Sequence, residues 1–135
     1  SDPCHPKCRM CQVTKVLAEV RSHLARRQAY GAVKTALGLA VPQIEAWYLV
    51  GTDPHVSEAA WINGQQSGVF PYARESLKPK VYGTDVPSLE LAIRQATEEA
   101  ERIVREGRLP QLESLFPRGF GALADDVRDW SVKDG

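Results

Sequence analysis

Between Ala32 and Gly51 the chain carries only two charged side chains, Lys34 and Glu45, and that constrains its fold more than any other stretch. The first half sets larger residues at odd positions (Val33, Thr35, Leu37, Leu39, Val41) against small ones at even positions (Ala32, Ala36, Gly38, Ala40). This alternation predicts a strand over 32–41 buried on both faces, with a helix lying close to its small-residue side. Pro42, with φ fixed and no N–H, suits the first position of a following helix, and Gly51 suits the residue just past its end. Ile44, Trp47, Tyr48, Leu49 and Val50 make that helix too apolar for a surface position. Glu45 is the one carboxylate inside the run.

A chain of 135 residues has room for one domain and one core, and 43% hydrophobic with 25% charged residues is ordinary for a globular protein. We read residues 1–135 as a single domain and residues 1–12 as a cysteine-containing loop. Seventeen basic and seventeen acidic residues cancel, which removes the generic argument for nucleic acid without excluding a local basic cluster. No apolar run reaches the roughly 20 residues needed to span a bilayer, and the first residues lack the pattern of a signal peptide. The expectation is a cytoplasmic protein with no membrane partner.

Helical spacing begins near Val13, where Val13, Val16, Leu17, Val20 and Leu24 form a stripe that ends before Gly31. Helix followed by buried strand predicts an α/β fold: a helix-rich layered domain with a small, mainly parallel sheet. Asp53 and Pro54 predict a helix start, with a short helix through Trp61 ending at Asn63-Gly64. Gln65 to Gly83 reads as a surface excursion. A long helix over about Val86 to Glu106 carries Leu89, Ala92, Ile93, Ala96, Ala100, Ile103 and Val104, and Gly107 ends it. Shorter helices follow from Pro110 and around Leu123 to Trp130. A strand buried on both faces needs hydrogen-bonding neighbours. No other segment has comparable β character, although Val69-Phe70-Pro71-Tyr72 could supply an edge. A partner chain or an upstream segment is therefore expected to complete the sheet.

Two constellations could carry chemistry. Cys4, Cys8 and Cys11 are spaced Cys-x3-Cys-x2-Cys, the spacing with which radical S-adenosylmethionine enzymes hold an iron–sulfur cluster, although here mainly helix follows instead of β/α units. An odd, tightly clustered set is a poor disulfide framework, which leaves plain thiols or zinc. A zinc site would take the three thiolates with His5 as fourth ligand, since His23 lies too far along the first helix. Glu45 is the second candidate. Pointing into the layers, it must be paired, protonated or metal-bound; in the first turn of a helix, the macrodipole alone accounts for it.

The run Val41-Pro42-Gln43-Ile44-Glu45-Ala46-Trp47-Tyr48-Leu49, followed by Gly51 and Asp53-Pro54, resembles a strand-to-helix segment of bacterial Toprim-like proteins related to the overcoming-lysogenization-defect nucleases. Leu77-Lys78-Pro79-Lys80 and the Phe116-Pro117-x-Gly119-Phe120 segment are compatible with it. The resemblance covers about residues 1–60 and implies a magnesium-dependent nuclease, a phosphodiester hydrolase acting on nucleic acid, with Asp2 and Glu45 near the ion. The first-strand glutamate of such sites has no counterpart here, so the fold would be an incomplete Toprim-like domain. The alternative is a non-catalytic, partner-binding α/β module with a zinc-stapled amino-terminal loop.

Overall fold

A computed structural model describes residues 8–28 and 34–134, with only the backbone described at 28 and 131–134. Among the described residues seven α-helices follow one another: α1 (Arg9–Gln28), α2 (Glu45–Tyr48), α3 (Glu58–Ser67), α4 (Leu77–Tyr82), α5 (Leu89–Arg105), α6 (Leu109–Leu115) and α7 (Phe120–Asp134), with a 3₁₀ turn at Arg74–Ser76 before α4. No strand occurs among the described residues, so the expected α/β layering is wrong and the fold is all-α. No helix among them is long and apolar enough to cross a membrane.

The physical reason lies in how residues 34–41 satisfy their backbone. Asp126 of α7 accepts the Leu37 N–H through Oδ2 at 2.8 Å, Arg21 of α1 donates to the Leu37 carbonyl at 2.7 Å, and Arg21 and Asp126 pair with each other. Trp130 Nε1 donates to the Thr35 carbonyl at 3.1 Å. Side chains from two helices thus serve the polar groups that a neighbouring strand would otherwise pair. The segment is half-buried instead of interior on both faces. The candidate edge strand at 69–72 is no strand either; Phe70 and Tyr72 there pack edge to face at 5.9 Å between ring centres.

α1 explains why the clamp was hidden. Its described inward face runs Val13, Leu17, Arg21, Leu24, whereas Val16 and Val20 of the predicted stripe are exposed. A cation therefore occupies a position that helical spacing assigns to the core side. The helix also starts at Arg9, earlier than expected, and draws Met10 out of the presumed 1–12 loop to pack with Val41 and Trp61, while Cys11 beside it is buried.

The main core gathers Ala46, Leu49, Val50, Val56, Tyr72, Leu77, Val81, Ile103, Leu112 and Phe116. Its members from 72 to 81 correct the surface excursion: Leu77 and Val81, four apart on α4, are buried. The helix expected over Pro42–Val50 shrinks to the single turn of α2, with Pro42 ahead of it in a cis peptide. α3 is capped by the Ser57 hydroxyl, not Asp53, and continues through Gly64 to Gly68. Gly64 is there for closeness: an added Cβ would run into the Phe70 ring, while Gly68 at φ 79° takes the left-handed stop. α5 is likewise capped by Ser88, not Asp85, and Gly107 follows it at φ 67°.

If the Arg21–Asp126 fork carries segment 34–41, Asp126→Ala leaves the Leu37 amide and the Arg21 guanidinium without their anion and destabilises the fold by about 2 kcal/mol. Urea unfolding followed by circular dichroism measures it; a loss under about 0.5 kcal/mol contradicts the clamp.

Candidate functional site around Glu45

Glu45 opens α2 and is 3% exposed. A carboxylate so placed needs partners, and α4 delivers them from one face, because Lys78 and Tyr82 are four residues apart. The Tyr82 hydroxyl donates to Glu45 Oε2 at 2.9 Å, and Lys78 Nζ stands 3.8 Å from Oε1. That separation exceeds hydrogen-bond length, and Oε1 has no hydrogen-bond partner although it is fully buried. Half of the carboxylate is held and half faces only an ammonium group.

The neighbouring groups respond to this charge. Burial pushes the Tyr82 phenol well above its usual range, and the hydrogen bond to Glu45 and its charge push it further. Tyr48, one turn on from Glu45, is raised by burial and then by the same carboxylate. Both phenols therefore stay protonated, and Tyr82 remains a donor. Lys80 pairs with Asp53 at 2.6 Å. Burial alone would raise Asp53, but the bond from Lys80, the His55 backbone N–H and their charges bring its carboxyl below the usual range. His55 itself is exposed, as expected of a residue in a solvated turn. Lys78 and Lys80 keep side-chain exposures of 44% and 42%, so two cations face solvent beside a buried carboxylate.

Arg102 fixes the α2 end of the site. Its guanidinium donates to the carbonyls of Tyr48 and Val50 at 3.0 and 2.8 Å while pairing with Glu99 and Glu106 at 3.0 and 3.1 Å. It closes the carbonyls that the short helix leaves open. Although charged, Arg102 is thus largely covered, with a side-chain exposure of 14%.

A second buried carboxylate, Glu58, had no place in the sequence reading. It is 2% exposed, and its two oxygens accept the backbone N–H groups of Arg118 and Gly119 at 3.1 and 2.9 Å, the free donors just ahead of α7. Gly119 is required there, since an added Cβ would strike the Leu39 carbonyl oxygen. Desolvation raises the Glu58 carboxyl above its usual range and outweighs the two bonds and the Arg118 charge that oppose it.

Asp2, Cys4 and His5 lie outside the described residues. Cys8 is a half-buried free thiol, while Cys11, in the first turn of α1, is disulfide-bonded and lies 3.7 Å from an Arg118 nitrogen. The view of these cysteines as a poor disulfide framework does not hold for Cys11. A disulfide sulfur is not a thiolate ligand, so zinc on Cys11 would first require reduction. Among the described residues, no three His, Cys, Asp or Glu side chains converge as a metal cage. Residue spacing marks none of Lys78, Tyr82, Tyr48 or Glu58 as a site residue. Tyr82 lay in a stretch read as loop, where no helical period marked it as facing Glu45.

No family model, curated protein or solved structure matches the chain.

The raised carboxyl of Glu58 makes a signed pH prediction. The folded chain binds this proton more tightly than the unfolded chain, so the contribution is fully present below the ordinary glutamate pKa and is lost as pH rises through the raised value. The stability of wild type relative to Glu58→Gln should therefore fall as pH rises above the ordinary glutamate range in denaturant titrations. A difference that grows with pH contradicts it.

Proposed function

We propose that the chain takes part in metal-assisted phosphodiester hydrolysis of the Toprim-like kind, with Glu45 as the carboxylate that would hold the ion and Lys78 and Lys80 as contacts to substrate phosphate. The observation that supports this reading is the buried Glu45 Oε1, an oxygen without a hydrogen bond whose one counter-charge among the described residues is a loosely placed, half-exposed lysine. Interior carboxylate oxygens are normally satisfied, and an orphan beside solvent-facing cations calls for a ligand.

The donor chemistry fits a hard cation. Magnesium keeps several waters and is commonly held by one or two carboxylates together with substrate phosphates, so one protein carboxylate from the described residues is a sufficient start. Asp2 is the second carboxylate that the resemblance implies. When bound, the ion supplies Lewis acidity and a more acidic water.

The chain's own residues do the rest. Tyr82, kept neutral, donates to Oε2 and thereby turns Oε1 toward Lys78. Lys78 neutralises Glu45 when no ligand is present, and its flexible stem lets the ammonium swing to a phosphate. Lys80, held by Asp53, carries a second positive charge along the same helix. Nucleic acid is the polyanion this pairing fits, in keeping with the expected cytoplasmic location.

Divalent-ion titration of wild type and Glu45→Gln tests the reading, together with magnesium-dependent cleavage of labelled DNA. The expectation is a rise in melting temperature with magnesium or manganese for wild type alone, and cleavage reduced by at least about 100-fold in Glu45→Gln. Equal ion responses in the two proteins, with no ion-dependent cleavage, overturn it.

A further inference from the structure

The apolar face of α5 has two adjacent parts. One, centred on Ile103, is buried against the main core, with Arg102 beside it reaching α2. The other is open: Leu89 is 76% exposed, Ile93 58% and Val104 63%, and Ala100 is exposed between them. At about 100° per residue, Leu89, Ile93, Thr97, Ala100 and Val104 fall within roughly 80° of one another and make one continuous stripe. A stripe of this kind along a 17-residue helix is a partner surface by its apolar area alone, but area does not say which partner.

The charges beside it do. Glu90, Arg94, Glu101 and Arg105 border the stripe on the side away from the protein body. All four are exposed, and none forms an ion pair among the described residues, in contrast to Glu99, Arg102 and Glu106 on the same helix, which are paired within the chain. Their order is negative, positive, negative, positive. When two copies of a helix pack antiparallel about a two-fold axis, each flanking row meets its own reverse. Glu90 then faces Arg105 of the second copy and Arg94 faces its Glu101; both pairs share one centre, midway between residues 97 and 98. The stripe agrees within one residue, because Leu89 opposite Val104 and Ile93 opposite Ala100 centre midway between 96 and 97. A parallel arrangement would set the charged row against the side that carries Ala96 and Ile103, where no complementary charge stands.

We propose that α5 is a homodimer contact, in which two copies of the chain lay the Leu89–Val104 stripe against each other antiparallel, with the Glu90/Arg105 and Arg94/Glu101 pairs setting the register. The helix is only about 25 Å long, less than a standard interface of roughly 800 Å² per partner requires. The dimer is therefore reversible, with half-association on the order of 10–100 µM.

Sedimentation equilibrium of the full chain tests this. Wild type is expected to pass from monomer to dimer with concentration, and Ile93→Asp to remain monomeric. Arg94→Glu and Glu101→Arg each place like charges together twice and should weaken association at least about tenfold, while the double variant Arg94→Glu/Glu101→Arg restores it to within about threefold of wild type. Because these positions are exposed and unpaired among the described residues, circular dichroism should be unchanged in every variant. A monomer up to about 1 mM, a dimer indifferent to Ile93→Asp, or a double variant weaker than either single overturns the proposal.

Discussion

The fork that Arg21 and Asp126 make around the peptide groups of Leu37 joins three parts of the chain at one point: α1, the irregular segment 34–41 and α7. A charged group that satisfies a buried backbone donor contributes more than a neutral one, and leaving it unmade costs the full desolvation of the exposed peptide. Two further carboxylate or guanidinium clasps follow the same logic. Glu58 closes the start of α7 from α3, and Arg102 closes the end of α2 from α5. The fold is held by ionised side chains gripping backbone groups as much as by its apolar core.

That arrangement positions Glu45. The turn after Pro42 delivers the carboxylate into the core, Arg102 pins the carbonyls of Tyr48 and Val50 just beyond it, and the buried Leu77 and Val81 orient α4 so that Lys78 and Tyr82 reach it. The site is therefore a product of the clasp on α2 and the packing of α4, not of a strand end. Its electrostatics are asymmetric, with a neutral phenol on one oxygen and a solvent-facing ammonium near the other.

Much of the helical content is legible from residue spacing. The long α5, its end at Gly107, α6 after Pro110 and α7 all follow from period and stop residues, because local propensity and packing agree there. The failure at 32–41 has a definite cause: alternation of large and small residues describes a chain packed between neighbours and says nothing of whether those neighbours are strands or helix side chains. Arg21 could not be read as a backbone partner 16 residues away, and Asp126 lies 89 residues from Leu37. α4 was hidden by its proline, glycine and lysines, which mimic a loop until Leu77 and Val81 are seen to point inward. Glu45 stood out as the only acidic group in an apolar run. Its partners did not, since a tyrosine and a lysine in a polar stretch carry no pattern of their own.

The open face of α5 shows the converse case, a regular pattern that the fold uses only in part. A periodic helix predicts its existence reliably, whereas which side faces the core depends on contacts elsewhere in the chain. The same residue spacing that defines α5 leaves Leu89 and Val104 outside because Ile103 and Arg102 face inward.

Residue-resolved amide hydrogen exchange probes the central clamp most directly, because backbone groups in 34–41 differ sharply in their bonding. The Leu37 amide is bound by Asp126, whereas Ala36, Gly38 and Ala40 make no backbone hydrogen bond among the described residues. Leu37 should exchange at least about tenfold more slowly than these three neighbours. Equally fast exchange at all four amides, or equal protection of the kind a ladder in a sheet would impose, contradicts a segment held by helical side chains.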